Sequence, residues 1–154
     1  MAPERFTKDQ VEYLVAAQKF IKVLPSIPPR REGKYLLEIR SEVFRVSEPQ
    51  KPISGLFIVG RIRMAPPGIP KALPSASLTW HGKRIRGVDK EAWHDNPDGS
   101  RVYGWHEHLW SPLFQDSYVI QARPEITRLT LMEIFTWGLE KWNIKVVTDQ
   151  QGAL

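Results

Sequence analysis

Ala76-Ser77-Leu78-Thr79-Trp80-His81-Gly82-Lys83-Arg84-Ile85-Arg86-Gly87-Val88 is the stretch that decides the fold. Two short runs rich in β-branched, aromatic and apolar residues flank His81-Gly82-Lys83, a composition that reads as a tight hairpin turn between antiparallel strands. His81 is expected to be a turn residue. An antiparallel pair at mid-chain makes a sheet built from neighbouring segments the simplest architecture, and the segments on either side extend it.

Upstream, Tyr35, Leu37 and Ile39 alternate with their neighbours, and Val43, Phe44 and Val46 continue in a shifted phase. One long strand over 35 to 47 with a β-bulge near Ser41 is expected. Pro49 and Pro52 should break it. Gly55-Leu56-Phe57-Ile58-Val59-Gly60-Arg61-Ile62-Arg63-Met64 then forms a second strand, apolar enough at its start to be central. The four prolines between Ala65 and Pro74 cannot sit in a ladder, so a loop or crossing connection is expected there. Downstream, 102 to 110 has strand character, and Tyr118 to Ala122 adds another strand.

Each end of the chain carries a helix signal. Thr7 with Gln10 has the form of a capping box ahead of Val11, Leu14, Val15, Ile21 and Leu24, which predicts a helix over 8 to 23 stopped by Pro25. Thr130 with Glu133 repeats the form, and Leu131, Ile134, Phe135, Leu139 and Trp142 mark an amphipathic helix. The expectation is one α+β domain over 1–154, a two-layer sandwich with a mainly antiparallel sheet of five or six strands. Within it, 1–33 supplies the N-terminal helix and a proline-rich connection, 34–122 the sheet, and 129–143 the C-terminal helix.

Composition narrows the chemistry. The chain of 154 residues has no cysteine, which excludes disulfides, thiolate metal sites and thiol nucleophiles and fits a reducing compartment. Its charged N-terminus does not resemble a signal peptide and no apolar run is long enough for a membrane span, so a cytoplasmic location without membrane contact is expected. The excess of 22 Lys+Arg over 17 Asp+Glu, a net charge of +5, biases the surface toward polyanions such as RNA. There is no Gly-rich phosphate loop, no Gly-x-Ser-x-Gly elbow and no His-Glu-x-x-His helix.

What stands out is a block from Trp93 to Trp110 holding His94, His106 and His108, three of the four histidines. His106 and His108 are two apart, so on a strand they share a face and Glu107 points away. Asn96-Pro97-Asp98-Gly99 can reverse the chain and return His94 toward that face, with Asp89, Asp95, Asp98 and Asp116 as nearby carboxylates. Several uses fit this pattern. Three imidazoles with a carboxylate or water suit a divalent metal such as zinc, manganese, iron or nickel at His94, His106 and His108. Metal-free acid–base work fits too, one imidazole taking a proton and another giving one, with Arg84, Arg86 or Arg101 stabilising negative charge. For RNA that set would suffice, since the substrate's own 2′-OH is the nucleophile. Alternatively, the histidines are half-buried structural residues among Trp93, Trp105 and Trp110, or part of a recognition surface.

His94-x-Asn96-Pro97-Asp98-Gly99, His106-x-His108 and Asp116, preceded by Arg84-Ile85-Arg86-Gly87-Val88-Asp89, resemble a pattern in small bacterial proteins distantly similar to TumE-type toxins of toxin–antitoxin pairs. The likeness covers about residues 35 to 122. It implies a cytoplasmic α+β toxin neutralised by an antitoxin-like partner, with RNA cleavage as its activity. On that reading Asp89, His94, His106 and His108 form the site, and Arg84, Arg86, Arg101 and Trp105 contact substrate. The N-terminal helix and the 65–74 insertion make this chain longer than such a toxin. A non-catalytic binding module, antitoxin-like, phage-encoded or regulatory, is the alternative.

Overall fold

The hairpin forms at the expected turn: β4 (Pro74–Trp80) and β5 (Lys83–Asp95) are joined by His81 and Gly82 alone. Both turn residues have positive φ, 49° and 78°, as a two-residue hairpin matched to strand twist requires. The computed structural model describes residues 6–25, 35–63, 74–122 and 130–147. The other described elements are α1 (Lys8–Ala16), β1 (Lys19–Ile21), β2 (Tyr35–Arg45), β3 (Glu48–Arg63), β6 (Arg101–Ser111), β7 (Gln115–Gln121), α2 (Leu131–Lys141) and β8 (Ile144–Val146).

The chain is α+β, as expected, with the strands in one sheet of order β7-β6-β5-β4-β3-β2-β1-β8. From β7 to β1 every neighbour is antiparallel, and only β1 and β8 run parallel. The described sheet thus has eight strands where five or six were expected, because two three-residue strands at its edge escaped the pattern.

The N-terminal helix is shorter than the 8 to 23 predicted. Its start matches: the Thr7 side chain accepts from the Gln10 amide, and the Gln10 side chain accepts from the Thr7 amide. It ends at Ala16 because Lys19-Phe20-Ile21 turn outward to pair with β2 on one side and β8 on the other. Lys19 also closes the helix. Its ammonium is buried and donates to the carbonyls of Leu14, Val15 and Ala17 at 2.9, 2.7 and 2.6 Å, satisfying acceptors that a helix end leaves open. Burial, with the Arg45 charge second, lowers its pKa from 10.5 to about 8.

Pro49 and Pro52 do not break the strand, contrary to expectation. They lie in the first part of β3, and β4 pairs only from Leu56 onward, so on that side their missing N–H groups disrupt no ladder. The β2–β3 ladder shifts register between Tyr35 and Leu37, between Glu42 and Phe44 and between Phe44 and Arg45, so an irregularity does fall next to Ser41, with its extra residues on β3. The proline-rich stretch expected over 65 to 74 lies outside the described residues apart from Pro74, which starts β4.

The core sits between one face of the sheet and the helices. Leu56, Ile58, Ala76, Leu78, Ile85 and Val88 pack with Leu131, Ile134, Phe135 and Leu139 of α2 and with Val11 and Leu14 of α1. Each such side chain removed from water contributes about 1.5–3 kcal/mol before entropy is counted. Phe6 stacks on Trp80 at 4.3 Å and meets Trp110 edge-on at 5.8 Å, pinning the approach to α1. No helix among the described residues is long and apolar enough to cross a membrane.

A candidate metal centre on the face away from the helices

Strand alternation sorts β6 into two faces. Glu107, opposite Val88, points into the helix layer, where the Trp142 indole N–H donates to it at 2.9 Å. His106 and His108 point the other way, opposite Asp89 and Gly87 of β5. Asp89 therefore arrives beside His106 through register alone. Glu91, two residues on, falls on the same face, and its carboxylate lies 3.2 Å from the same imidazole nitrogen.

Register does not explain His94, which pairs with Val102, four residues from His106 and about 13 Å along a straight strand. The hairpin is bent instead. A bulge between Glu91 and His94 and a positive φ of 76° at Gly104 turn it, bringing the His94 ring 5.3 Å from His106 and 5.6 Å from His108. The turn that follows is locked. Asp98 accepts from the amide and hydroxyl of Ser100, while the buried Asn96 side chain donates to the Val119 carbonyl and accepts from the Val119 amide. Asn96 thereby ties the hairpin to β7.

The three imidazoles share one arrangement. His106 Nδ1 lies 2.9 Å from the Gly104 carbonyl, His108 Nδ1 2.8 Å from the Asp116 carbonyl and His94 Nε2 2.8 Å from the Ser117 carbonyl. A carbonyl only accepts, so each of these nitrogens carries the hydrogen. The remaining nitrogens face carboxylates: His106 Nε2 lies 2.5 Å from Asp89 Oδ1, His108 Nε2 3.3 Å from the same oxygen, and His94 Nδ1 3.7 Å from Glu91 Oε1. Histidines that bind metals are held in this way, one nitrogen bonded to a carbonyl or carboxylate and the other presented to the ion.

His106 sharpens the point. Its ring is wholly buried, and its Nε2 has no hydrogen-bond partner of acceptable geometry despite the carboxylate at 2.5 Å. Buried nitrogens left so are rare and costly. Ligand atoms of Asp89, Glu91, His106 and His108 all fall within 4.8 Å of one another, and this group could hold a metal ion.

Electrostatics agree with the geometry. Burial works against a charged His106 ring, but Asp89, the Gly104 carbonyl and Glu91 outweigh it and raise the pKa above its usual value. Burial likewise works against the Asp89 carboxylate, yet the adjoining His106 and His108 imidazoles hold it well below the usual carboxylate range. Such mutually perturbed groups mark a pocket suited to exchanging a proton or an ion.

Of the substrate contacts expected from sequence, only Arg84 reaches the pocket, with Nε 2.9 Å from Asp116 Oδ2 and Nη1 3.8 Å from Asp89 Oδ2. Arg86 is buried on the opposite face, bonded to Glu12 at 2.7 Å and 4.0 Å from Glu107. Trp105 packs against the core. Arg101 pairs with Asp95 and lies over the exposed Trp93 ring, also outside the pocket. The structural reading of the histidines holds in part: His106 and His108 are buried and one nitrogen of each of the three rings meets a backbone carbonyl, but Trp105 and Trp110 pack with the core instead. Glu91 was missed from sequence, although Asp89-x-Glu91 repeats the alternation that His106-x-His108 displays across the ladder. No family model, curated protein or solved structure matches this chain.

Proposed function

We propose that this chain binds one divalent transition-metal ion through Asp89, Glu91, His106 and His108, with His94 beside it, and acts on RNA as a toxin-like phosphodiesterase. The observation that carries the reading is the buried Nε2 of His106, held against the Asp89 and Glu91 carboxylates at 2.5 and 3.2 Å but outside hydrogen-bond geometry, while its Nδ1–H is committed to Gly104. Two imidazoles and two carboxylates suit zinc, manganese, iron or nickel better than magnesium or calcium, which prefer oxygen alone.

Burial favours this over metal-free acid–base catalysis. A proton-transfer imidazole has to touch its substrate, and His106 and His108 are only 0% and 4% exposed. A divalent ion held by Asp89, Glu91, His106 and His108 would supply Lewis acidity without either buried imidazole having to touch the substrate. His94, whose side chain is 18% exposed, is the imidazole placed to move a proton, its ring held by the Ser117 carbonyl at 2.8 Å and its Nδ1 left 3.7 Å from Glu91. RNA as substrate rests on the basic surface, a net charge of +5, and on the Arg84 guanidinium beside the pocket.

The test has two parts. Elemental analysis of protein purified without chelator is expected to give one divalent ion per chain, and chelator should lower the melting temperature. Binding at a hundredfold excess over the dissociation constant stabilises by about 2.7 kcal/mol. His106→Ala with His108→Ala should lose both the ion and the chelator effect. No ion and no shift after incubation with zinc, manganese, iron or nickel would overturn the centre. The metal-loaded protein should also cleave a single-stranded RNA oligonucleotide and slow growth when expressed, and the double variant should do neither. An ion bound without cleavage would leave the centre and remove the RNA reading.

A further inference from the structure

Arg84 is not one of the proposed metal ligands, yet its guanidinium lies against two of them, 3.2 Å from His108 and 3.8 Å from Asp89. The side chain folds over Gly87, where an added Cβ would come 2.7 Å from Arg84 Cδ and 3.3 Å from Nε. Gly87 stands opposite His108 on the pocket face, so only a residue without a side chain leaves the corridor that Arg84 occupies. Asp116 fixes the far end of this corridor by accepting from Nε at 2.9 Å.

The other edge of the guanidinium is under-used. Nη1 is 3.8 Å from Asp89 Oδ2, beyond hydrogen-bond range, and Nη2 is 3.2 Å from His108 Nδ1, whose hydrogen already points to the Asp116 carbonyl. A guanidinium carries five N–H groups in a planar fork suited to two oxygens of one anion. With its side chain 32% exposed and Nη1 without a partner inside hydrogen-bond range, Arg84 keeps a donor open beside the proposed metal ligands Asp89 and His108. We infer that Arg84, held open by Gly87 and aimed by Asp116, is an oxyanion-binding subsite that takes the phosphoryl group of a phosphodiester next to the metal ion.

The inference rests on the metal reading, and charge explains why. With the imidazoles in the neutral form that binds a metal, Asp89, Glu91 and Asp116 set three carboxylates against the single guanidinium of Arg84, leaving two negative charges in excess around the site. A divalent ion cancels that excess. Anion binding should therefore follow metal binding rather than precede it, and each ligand should tighten the other.

Calorimetric titration on the full chain tests this, with manganese or zinc first and then inorganic phosphate, dimethyl phosphate or acetate. Metal-loaded wild-type protein is expected to bind both phosphoryl compounds at least tenfold more tightly than acetate and at least tenfold more tightly than metal-free protein does. Arg84→Gln should weaken phosphoryl binding about tenfold or more while metal affinity stays within about threefold, and Arg84→Lys should recover only part of the loss. Gly87→Ala should reproduce the effect with the arginine still present, and circular dichroism with a urea midpoint checks its fold. Equal phosphate affinity in wild type and Arg84→Gln, or equal affinity with and without metal, would overturn the inference alone. Binding of inorganic phosphate without dimethyl phosphate would overturn the diester assignment. No metal uptake by the wild type would overturn the metal centre, and the subsite with it.

Discussion

Replacing Arg86 by methionine separates a structural role from a role in substrate binding. The Arg86 side chain is 6% exposed and lies between Glu107, itself 5% exposed, and Glu12. Without the guanidinium, Glu107 remains buried with the Trp142 indole N–H as its one short partner. An uncompensated buried charge of this kind costs about 3–5 kcal/mol. For a domain of this size that lowers the melting temperature by about 10 °C, at roughly 2–4 °C per kcal/mol. Adding Glu107→Leu should return much of the loss, since replacing a whole buried ion pair by apolar groups is often neutral or better. The coupling in such a cycle should be about 2–3 kcal/mol, well above the few tenths expected of independent sites. Urea unfolding of the wild type, both single variants and the double variant measures it, provided the slope with denaturant is unchanged. Metal and phosphate affinity should stay near wild type in every folded variant. The reasoning fails if Arg86→Met is as stable as wild type, or if it abolishes RNA cleavage while the fold and the metal stay intact.

Two further outcomes follow from single side chains. Lys19 has a folded pKa near 8 against 10.5 when solvated, so between those values the unfolded chain holds more protons and stability rises with pH. The wild type should gain up to about 3 kcal/mol between pH 7.5 and 10.5 relative to Lys19→Met, measured by urea midpoints at both; parallel pH profiles would contradict the assignment. Asn96→Ala removes the side chain that pairs both backbone groups of Val119 and should cost about 2 kcal/mol. If the turn positions His94, the same variant should also lower RNA cleavage more than metal affinity, and an unchanged cleavage rate would count against it.

Much of the sheet was legible because its strands are long and joined to their neighbours in sequence. The β4–β5 hairpin and the β5–β6 reversal each announce themselves through turn residues within a short window. What was hidden depends on partners far along the chain. Lys19-Phe20-Ile21 is too short to show alternation, all three residues are buried, and Ile21 happens to fall at helical spacing from Leu14. Only β2 and β8, drawn from distant segments, make it a strand. The candidate site divides in the same way. His106 and His108 follow from alternation and the Asn-Pro-Asp-Gly turn signals the reversal, but the return of His94 needed the bulge between Glu91 and His94 and the positive φ at Gly104. Glu91 shares the alternation of Asp89 but its place beside His106 required the β5–β6 register, and the burial of Arg86 required the bulge against β4 between Arg84 and Arg86, which no local pattern encodes.

The opposed faces of β6 also guard the pairing of the strand with β5. A slip of one residue would turn His106 and His108 toward Trp142 and the helix layer and bring Glu107 out beside Asp89. Two imidazoles would enter an apolar layer without their carbonyl partners, and two carboxylates would meet where an imidazole and a carboxylate now do. Near-miss pairings of this hairpin are therefore penalised on both sides of the sheet at once. The residues that would serve chemistry also act as a proofreading code for the fold, so variants that neutralise the pocket should refold with more misregistered hairpin than variants that only trim the core.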